Sequence, residues 1–211
     1  MRKSNKTSRF GALILAAGVS SRMGEPKQLL SINNETMIQH VIKQVVQAGF
    51  NQIILVLGFM DKAVEKSISI KLRKKIEIVR NDQYKKGISS SIKIGIGNFK
   101  GDIPVFIFLG DQPIISQKLI LEMKTCYFKY QYDVIRNNYN NTPAHPVLLG
   151  PKLLKKVDEL EGDKGFNTLI NKNKISVKNI DNSNNLPIID IDTKEDYFKF
   201  IKLKEGYECD Q

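Results

Sequence analysis

Cysteine and histidine occur only twice each among the 211 residues, as Cys126, Cys209, His40 and His145, and tryptophan is absent. Neither pair has metal-ligand spacing, which excludes a Cys/His zinc site, and two thiols make no disulfide framework. A reducing, cytoplasmic setting is therefore expected. No Ser-His-Asp or Cys-His arrangement is evident either. No apolar run reaches the roughly 20 residues that a membrane-spanning helix needs. Residues 1–9, MRKSNKTSR, carry charge without an apolar region behind it and read as a flexible basic tail rather than a signal peptide. Because no Pro/Gly/Ser-rich linker interrupts the chain, residues 10–205 are expected to form one domain, with 206–211 as a C-terminal tail.

Acidic residues are the minority charge, 22 against 33 Lys and Arg, for a formal net charge of +11. The excess is spread over helices and loops, as at Lys71, Arg73, Lys74 and Lys75 or Lys152, Lys155 and Lys156, and is not gathered beside stacking aromatics. Neither a nucleic acid nor a membrane is the expected partner. A modest positive field does suit a polyanionic substrate.

What the chain does have is alternation of strand-length apolar runs with helical periodicity. Strands are expected at Phe10–Ala16, Ile53–Leu57, Ile76–Val79, Val105–Leu109 and Val134–Arg136. Between them fall helices through Met37, Val41 and Val45, near Met60–Leu72, near Ser89–Asn98, and through Leu119, Met123 and Tyr127. Strands written as continuous apolar runs are buried on both faces, so the expected fold is α/β: one doubly wound, mostly parallel sheet with helices on both sides. Ligands of such sheets bind outside the carboxyl ends of the strands.

The loop after the first strand is the richest. Leu13-Ile-Leu-Ala-Ala-Gly-Val-Ser-Ser-Arg-Met-Gly-Glu-Pro-Lys27 joins an apolar strand to a small-residue turn with two cations. Gly18 and Gly24 allow close backbone approach, Ser20 and Ser21 offer hydroxyls, and Arg22 and Lys27 supply charge, a composition suited to a triphosphate. The spacing matches neither G-x-G-x-x-G nor G-x-x-x-x-G-K-[ST]. After Val105–Leu109, the sequence Gly110-Asp-Gln-Pro113 ends an apolar strand on a carboxylate, which is costly without a partner. A Mg²⁺ ion is a suitable one, and since it takes one or two protein carboxylates plus phosphates and water, a second acid is expected. Asp192 offers it, following a strand expected at Leu186–Ile189, although Asp192 or Thr193 would equally serve as the N-cap of the last helix.

In order along the chain, Leu15-Ala-Ala-Gly-x-Ser-x-Arg-Met-Gly-x-Pro-Lys27, Asn81 with Gly87 and Ser90-Ser91, Leu109-Gly-Asp-Gln-Pro113, His145-Pro-Val147, Gly162-Asp-x-Gly165 and Asp190-Ile-Asp-Thr-x-Glu-Asp196 form a set of landmarks. By these the chain resembles the molybdenum cofactor cytidylyltransferases, MocA-like members of the MobA-like nucleotidyltransferase superfamily with a Rossmann-like fold. The resemblance implies Mg²⁺-dependent transfer of CMP from CTP to the phosphate of molybdopterin, with pyrophosphate released and a molybdoenzyme or its chaperone as a further partner. It implies a nucleotide and cofactor site of Leu15, Ala16, Ala17, Gly18, Ser20, Arg22, Lys27, Asn81, Gly87, Ser91 and His145. Arg22, Lys27 and Asp111 are the implied catalytic groups, and Asp111 and Asp192 the implied metal ligands. Ala16-Ala17-Gly18 stands where guanylyltransferases of the superfamily carry Ala-Gly-Gly, so the Ala17 methyl is expected to disfavour a purine.

Alternatives remain at single positions. Ser91 reads equally as a serine of a helix N-terminus, and His145 as a structural histidine rather than an acid or base. Gly162–Gly165 reads as a closing loop or a helix–helix turn. Ala144 replaces the glycine usual in that family before His-Pro, which would alter the pterin side if the backbone there needs positive φ or close substrate approach. Met23-Gly-x-Pro-Lys-Gln28 also resembles the methylerythritol-phosphate cytidylyltransferases, which leaves open another phosphorylated acceptor. A non-catalytic nucleotide-binding regulator would need the loop but not two carboxylates.

Overall fold

The computed structural model describes residues 9–19, 23, 26–163, 165–172, 175–182 and 189–209. The chain begins with β1 (Gly11–Ala16), a 3-10 turn at Lys27–Leu29, the short strands β2 (Ser31–Ile32) and β3 (Glu35–Thr36), α1 (Met37–Gln47) and β4 (Gln52–Leu57). Then come α2 (Asp61–Ser67), α3 (Ile70–Arg73), β5 (Glu77–Arg80), α4 (Ile88–Gly97), β6 (Val105–Leu109) and α5 (Gln117–Tyr130). The remainder is β7 (Val134–Tyr139), β8 (Thr142–Leu149), α6 (Pro151–Leu154), α7 (Asn167–Lys172), β9 (Val177–Asp181) and α8 (Lys194–Cys209).

Seven strands form one sheet in the order β5-β4-β1-β6-β8-β7-β9, with β8 antiparallel to both neighbours and all other pairs parallel. Alternate residues of the central strands feed two cores. Ala12, Ile14, Phe106 and Phe108 pack on one face against Ile38, Val41 and Val45 of α1 and Leu119 and Met123 of α5. Leu13, Leu15, Val105 and Ile107 pack on the other against Ile92 of α4, Leu153 of α6 and Leu169 of α7. The doubly wound sheet expected from the apolar runs is therefore present. A satellite core of Ile32, Met37, Ile191 and Phe200 fastens α8 beside the β2–β3 hairpin.

Three local expectations are corrected. The helix expected near Met60–Leu72 is two helices, because Ile68 is extended at φ −81° and ψ 126° and 1 % exposed: its side chain is buried in the core at the cost of the helical path. β8 was not foreseen, nor was the pairing that extends β7 to Tyr139; both follow from Asn140 and Asn141, whose φ values of 47° and 63° make the left-handed two-residue turn of a tight hairpin. Asn33 and Asn34 repeat the device between β2 and β3, at φ 48° and 63°. Of the strand expected at Leu186–Ile189, residues 186–188 lie outside the described residues and Ile189 is not in a strand. Among the described residues no helix is long and apolar enough to cross a membrane.

Candidate active site at the carboxyl ends of β1 and β6

β1 and β6 are hydrogen-bonded neighbours, so the loops that follow them start side by side. Gly110 makes this contact close: its amide donates to the Leu15 carbonyl at 2.8 Å, and a Cβ there would lie 2.9 Å from that of Ala16. The first loop returns to β1 through Gln28, which is buried and donates Nε2 to the Ala16 carbonyl at 3.2 Å. Lys27, the preceding residue, is thereby held above the sheet.

Lys27 brings together the two acids that the sequence separates. Its Nζ donates to Asp111 Oδ2 at 2.7 Å and to Asp192 Oδ1 at 2.6 Å, so those oxygens are no further apart than the sum of the two distances. Two further bonds stitch the segments. The Ile191 amide donates to the Asp111 carbonyl at 3.2 Å, and Gln112 Nε2 donates to Asp190 Oδ1 at 2.6 Å. Burial opposes the Lys27 charge, but the neighbouring carboxylates, Asp111 foremost, outweigh it and raise the lysine pKa above its ordinary value. The cap alternative at the last helix is resolved in favour of Thr193. Its Oγ1 accepts from the Asp196 amide at 3.2 Å while Asp196 Oδ2 accepts from the Thr193 amide at 2.9 Å, a reciprocal box that leaves the Asp192 carboxylate on Lys27. The hydrogen bond from Thr193 Oγ1 is the main reason the Asp196 pKa is lowered.

The second wall of the site is α4. Asn81, at the end of β5, is 3 % exposed and donates Nδ2 to the hydroxyls of Ser90 and Ser91, each at 2.9 Å, while its Oδ1 accepts from the Gln83 amide at 2.9 Å. Asn81 and Ser91 thus define how the β5–α4 connection folds. Gly87 enters α4 at φ 95°, and a Cβ there would lie 2.5 Å from the Gly162 carbonyl carbon. That close approach lets the Gly162–Asp163 turn cap the helix: the Ser89 amide donates to the Gly162 carbonyl at 3.1 Å and the Ile88 amide to Asp163 Oδ1 at 3.2 Å. The turn read as a possible closing loop is docked on α4 in this structure.

Ala17 is 6 % exposed, and its methyl faces Gly58, where a Cβ would lie 2.9 Å from it and 2.8 Å from Tyr84 Cβ. Gly18 is exposed at the loop's start. Ser20, Ser21, Arg22 and Gly24 lie outside the described residues. Ala144 pairs with Asn137 in β8 and is not among the positive-φ residues, so its exchange for glycine needs no special backbone.

His145 Nδ1 lies 3.2 Å from the Ile107 carbonyl. Burial lowers its pKa, and the smaller opposing effects are this bond and the charges of Asp190 and Asp111. A depressed imidazole contributes stability that is whole above the ordinary imidazole range and is lost as pH falls toward its folded value, because the unfolded chain takes the proton first. Urea unfolding between pH 7 and 5 is expected to show a steeper acid-side loss in the parent than in His145→Asn; equal slopes would mean that the ring titrates as it does unfolded.

Sequence reasoning missed the positioning roles of Gln28 and Gln112, two amides, and of Asp190 and Asp163, two carboxylates that accept hydrogen bonds from other segments. Single polar residues in loops have no periodic signal; only their placement inside the quoted motifs pointed to them. Among the described residues no group of three or more His, Cys, Asp or Glu side chains is placed to hold a metal ion. Two carboxylates converging on one cationic nitrogen are hard oxygen donors that fit Mg²⁺, provided that phosphate and water complete its shell.

Residues 12–177 match the model of the MobA-like NTP transferase domain. The chain is 28 % identical over 207 residues to the molybdenum cofactor cytidylyltransferase of Escherichia coli, covering 95 % of this chain and 98 % of that protein. It is 24 % identical over 205 residues to a probable molybdenum cofactor guanylyltransferase of Bacillus cereus, covering 95 % and 94 %. A solved structure from Mycobacterium sp. strain JC1, the homologue of Mycobacterium tuberculosis Rv0371c, superposes with a TM-score of 0.81 at 28 % identity, over 92 % of this chain and 96 % of that one. The chain belongs to the MobA-like NTP transferase family and is a nucleotidyltransferase.

Proposed function

We propose that this enzyme transfers CMP from CTP to the terminal phosphate of molybdopterin. An acceptor phosphate oxygen bonds to the α-phosphorus of CTP as the bond to the β-phosphate oxygen breaks, and pyrophosphate departs. The observation that carries the reading is the convergence of Asp111, Asp192 and Lys27 beside the β1 loop. Both reactants are polyanions, so alignment and charge neutralisation are the main catalytic needs, and no protein nucleophile is required.

Asp111 and Asp192 would hold Mg²⁺ in this scheme, and the bound ion would supply Lewis-acid neutralisation of the phosphates. Lys27 keeps the two carboxylates together before nucleotide arrives and donates to a phosphate oxygen afterwards; Arg22 is assigned to the same triphosphate. Ser91, Gly87 and Asn81 are assigned to the base and ribose, and Ser20 and Gly18 to the phosphates. Cytosine is preferred because the Ala17 methyl, already packed beside Gly58 and Tyr84, takes up room that glycine would leave for a purine.

With molybdopterin, Mg²⁺ and equal CTP and GTP, the CMP-bearing product is expected to dominate. Equal or greater incorporation of GMP would remove the cytosine assignment. A product formed only with a different phosphorylated acceptor would remove the molybdopterin assignment while keeping the reaction.

A further inference from the structure

Beside the acidic pair, on the α4 face of the sheet, lies a cavity of about 120 Å³. Ile88 and Ile92 of α4 and Phe166, just before α7, form its apolar walls, and His145 and Arg136 supply polar groups. Leu15 also lines it and pairs with Leu109, two residues before Asp111, so the cavity lies close to the strand end that carries that acid. An apolar cavity of roughly 150 Å³ takes a benzene ring, and this one is therefore about the size of a single ring.

Arg136 is oriented but not neutralised. It sits on β7, level with Ile107 of β6, because both are opposite Val147 of the intervening β8. Its Nε donates to Asn179 Oδ1 at 3.2 Å and its Nη1 to Asn167 Oδ1 at 3.3 Å. Both partners are neutral amides, and Arg136 has no carboxylate partner among the described residues. A guanidinium carries five N–H donors, so two bonds fix its plane and leave the others for a ligand. A structural arginine at a half-buried site is better served by a carboxylate, whose charge-assisted bonds are roughly twice as strong as neutral ones.

His145 adds the complementary half. A carbonyl only accepts hydrogen bonds, so Nδ1 carries the proton in its contact with Ile107. In the neutral ring that makes Nε2 an acceptor, suited to an N–H of a ligand. Resting on the acceptor class proposed above, we infer that this cavity is the acceptor's ring subsite. One planar ring packs between Ile92 and Phe166, with carbonyl or ring-nitrogen acceptors directed to Arg136 and a ring N–H to His145. Arg136 is then a specificity-determining residue remote from the reacting phosphate.

Steady-state kinetics with molybdopterin and CTP on Arg136→Gln and Asn167→Asp tests this. Arg136→Gln removes the charge, whereas Asn167→Asp supplies the carboxylate that a structural arginine would welcome. Both are expected to raise KM for molybdopterin about tenfold or more, with KM for CTP within about twofold of the parent and Arg136→Gln unfolding at the parental temperature. An Asn167→Asp variant that is more heat-stable yet binds molybdopterin more weakly would separate recognition from structure. An unchanged molybdopterin KM in both variants, or equal rises in KM for both substrates, would overturn the subsite and leave the proposed reaction standing. A parent enzyme that forms no CMP-bearing product from molybdopterin would overturn both.

Discussion

Asp111→Asn and Asp192→Asn are each expected to lower turnover about a hundredfold or more, and the double variant is expected to fall little further. The two residues lie 81 positions apart in the chain, yet both reach the same nitrogen, at 2.7 and 2.6 Å. If they act through one bound cation, removing either charge disables the same unit, and losses within one unit do not add. Stability is expected to change much less. Each single variant leaves Lys27 one carboxylate, and the Ile191–Asp111 and Gln112–Asp190 bonds that join the segments do not use the altered charges. Pyrophosphate release and the thermal midpoint of the three variants, measured side by side, decide the matter. Fully additive losses, or activity that only tracks the midpoint, would argue against a shared ion.

Lys27→Ala is expected to lose turnover on a similar scale for a different reason. The substitution takes away a phosphate donor and leaves Asp111 and Asp192 facing each other with no ammonium between them. Two carboxylates at such short range repel, and they relieve the repulsion by binding a cation. Without nucleotide, therefore, Mg²⁺ is expected to raise the thermal midpoint of Lys27→Ala by more than it raises that of the parent, in which the lysine already fills the role. A variant that turns over CTP at the parental rate would show that the phosphate cradle lies elsewhere. An equal response of both proteins to Mg²⁺ would show that the carboxylates do not form an ion site once the lysine is gone.

The apolar runs Ile53–Leu57 and Val105–Leu109 fall within strands, and the periodic stretch through Met37, Val41 and Val45 is a helix, because strands buried on both faces and helices buried on one face leave distinct local patterns. The quoted motifs also located both acids and the lysine. Gly87 was legible as a site position, though not what it approaches, and the close contact of Gly110 with β1 appeared only in the structure.

Other features were not local. The antiparallel β8 depends on a two-residue Asn140-Asn141 turn, a weaker signal than Asn-Gly, and the break at Ile68 depends on a core that only the assembled helices create. The docking of Gly162–Asp163 on α4 and the clasp of Gln112 on Asp190 join residues 75 and 78 positions apart. Arg136 looked like any surface cation until β9 and α7 surrounded it with amides in place of acids. By itself the sequence determined the central strands β1, β4 and β6 and the helices α1 and α5, and which loops bring Lys27 and Asp111 to the carboxyl edge, since burial pattern and side-chain chemistry are properties of short stretches. Only the tertiary structure decided that Lys27 stands between Asp111 and Asp192, because electrostatic partnership depends on distances of a few ångströms that no sequence separation encodes.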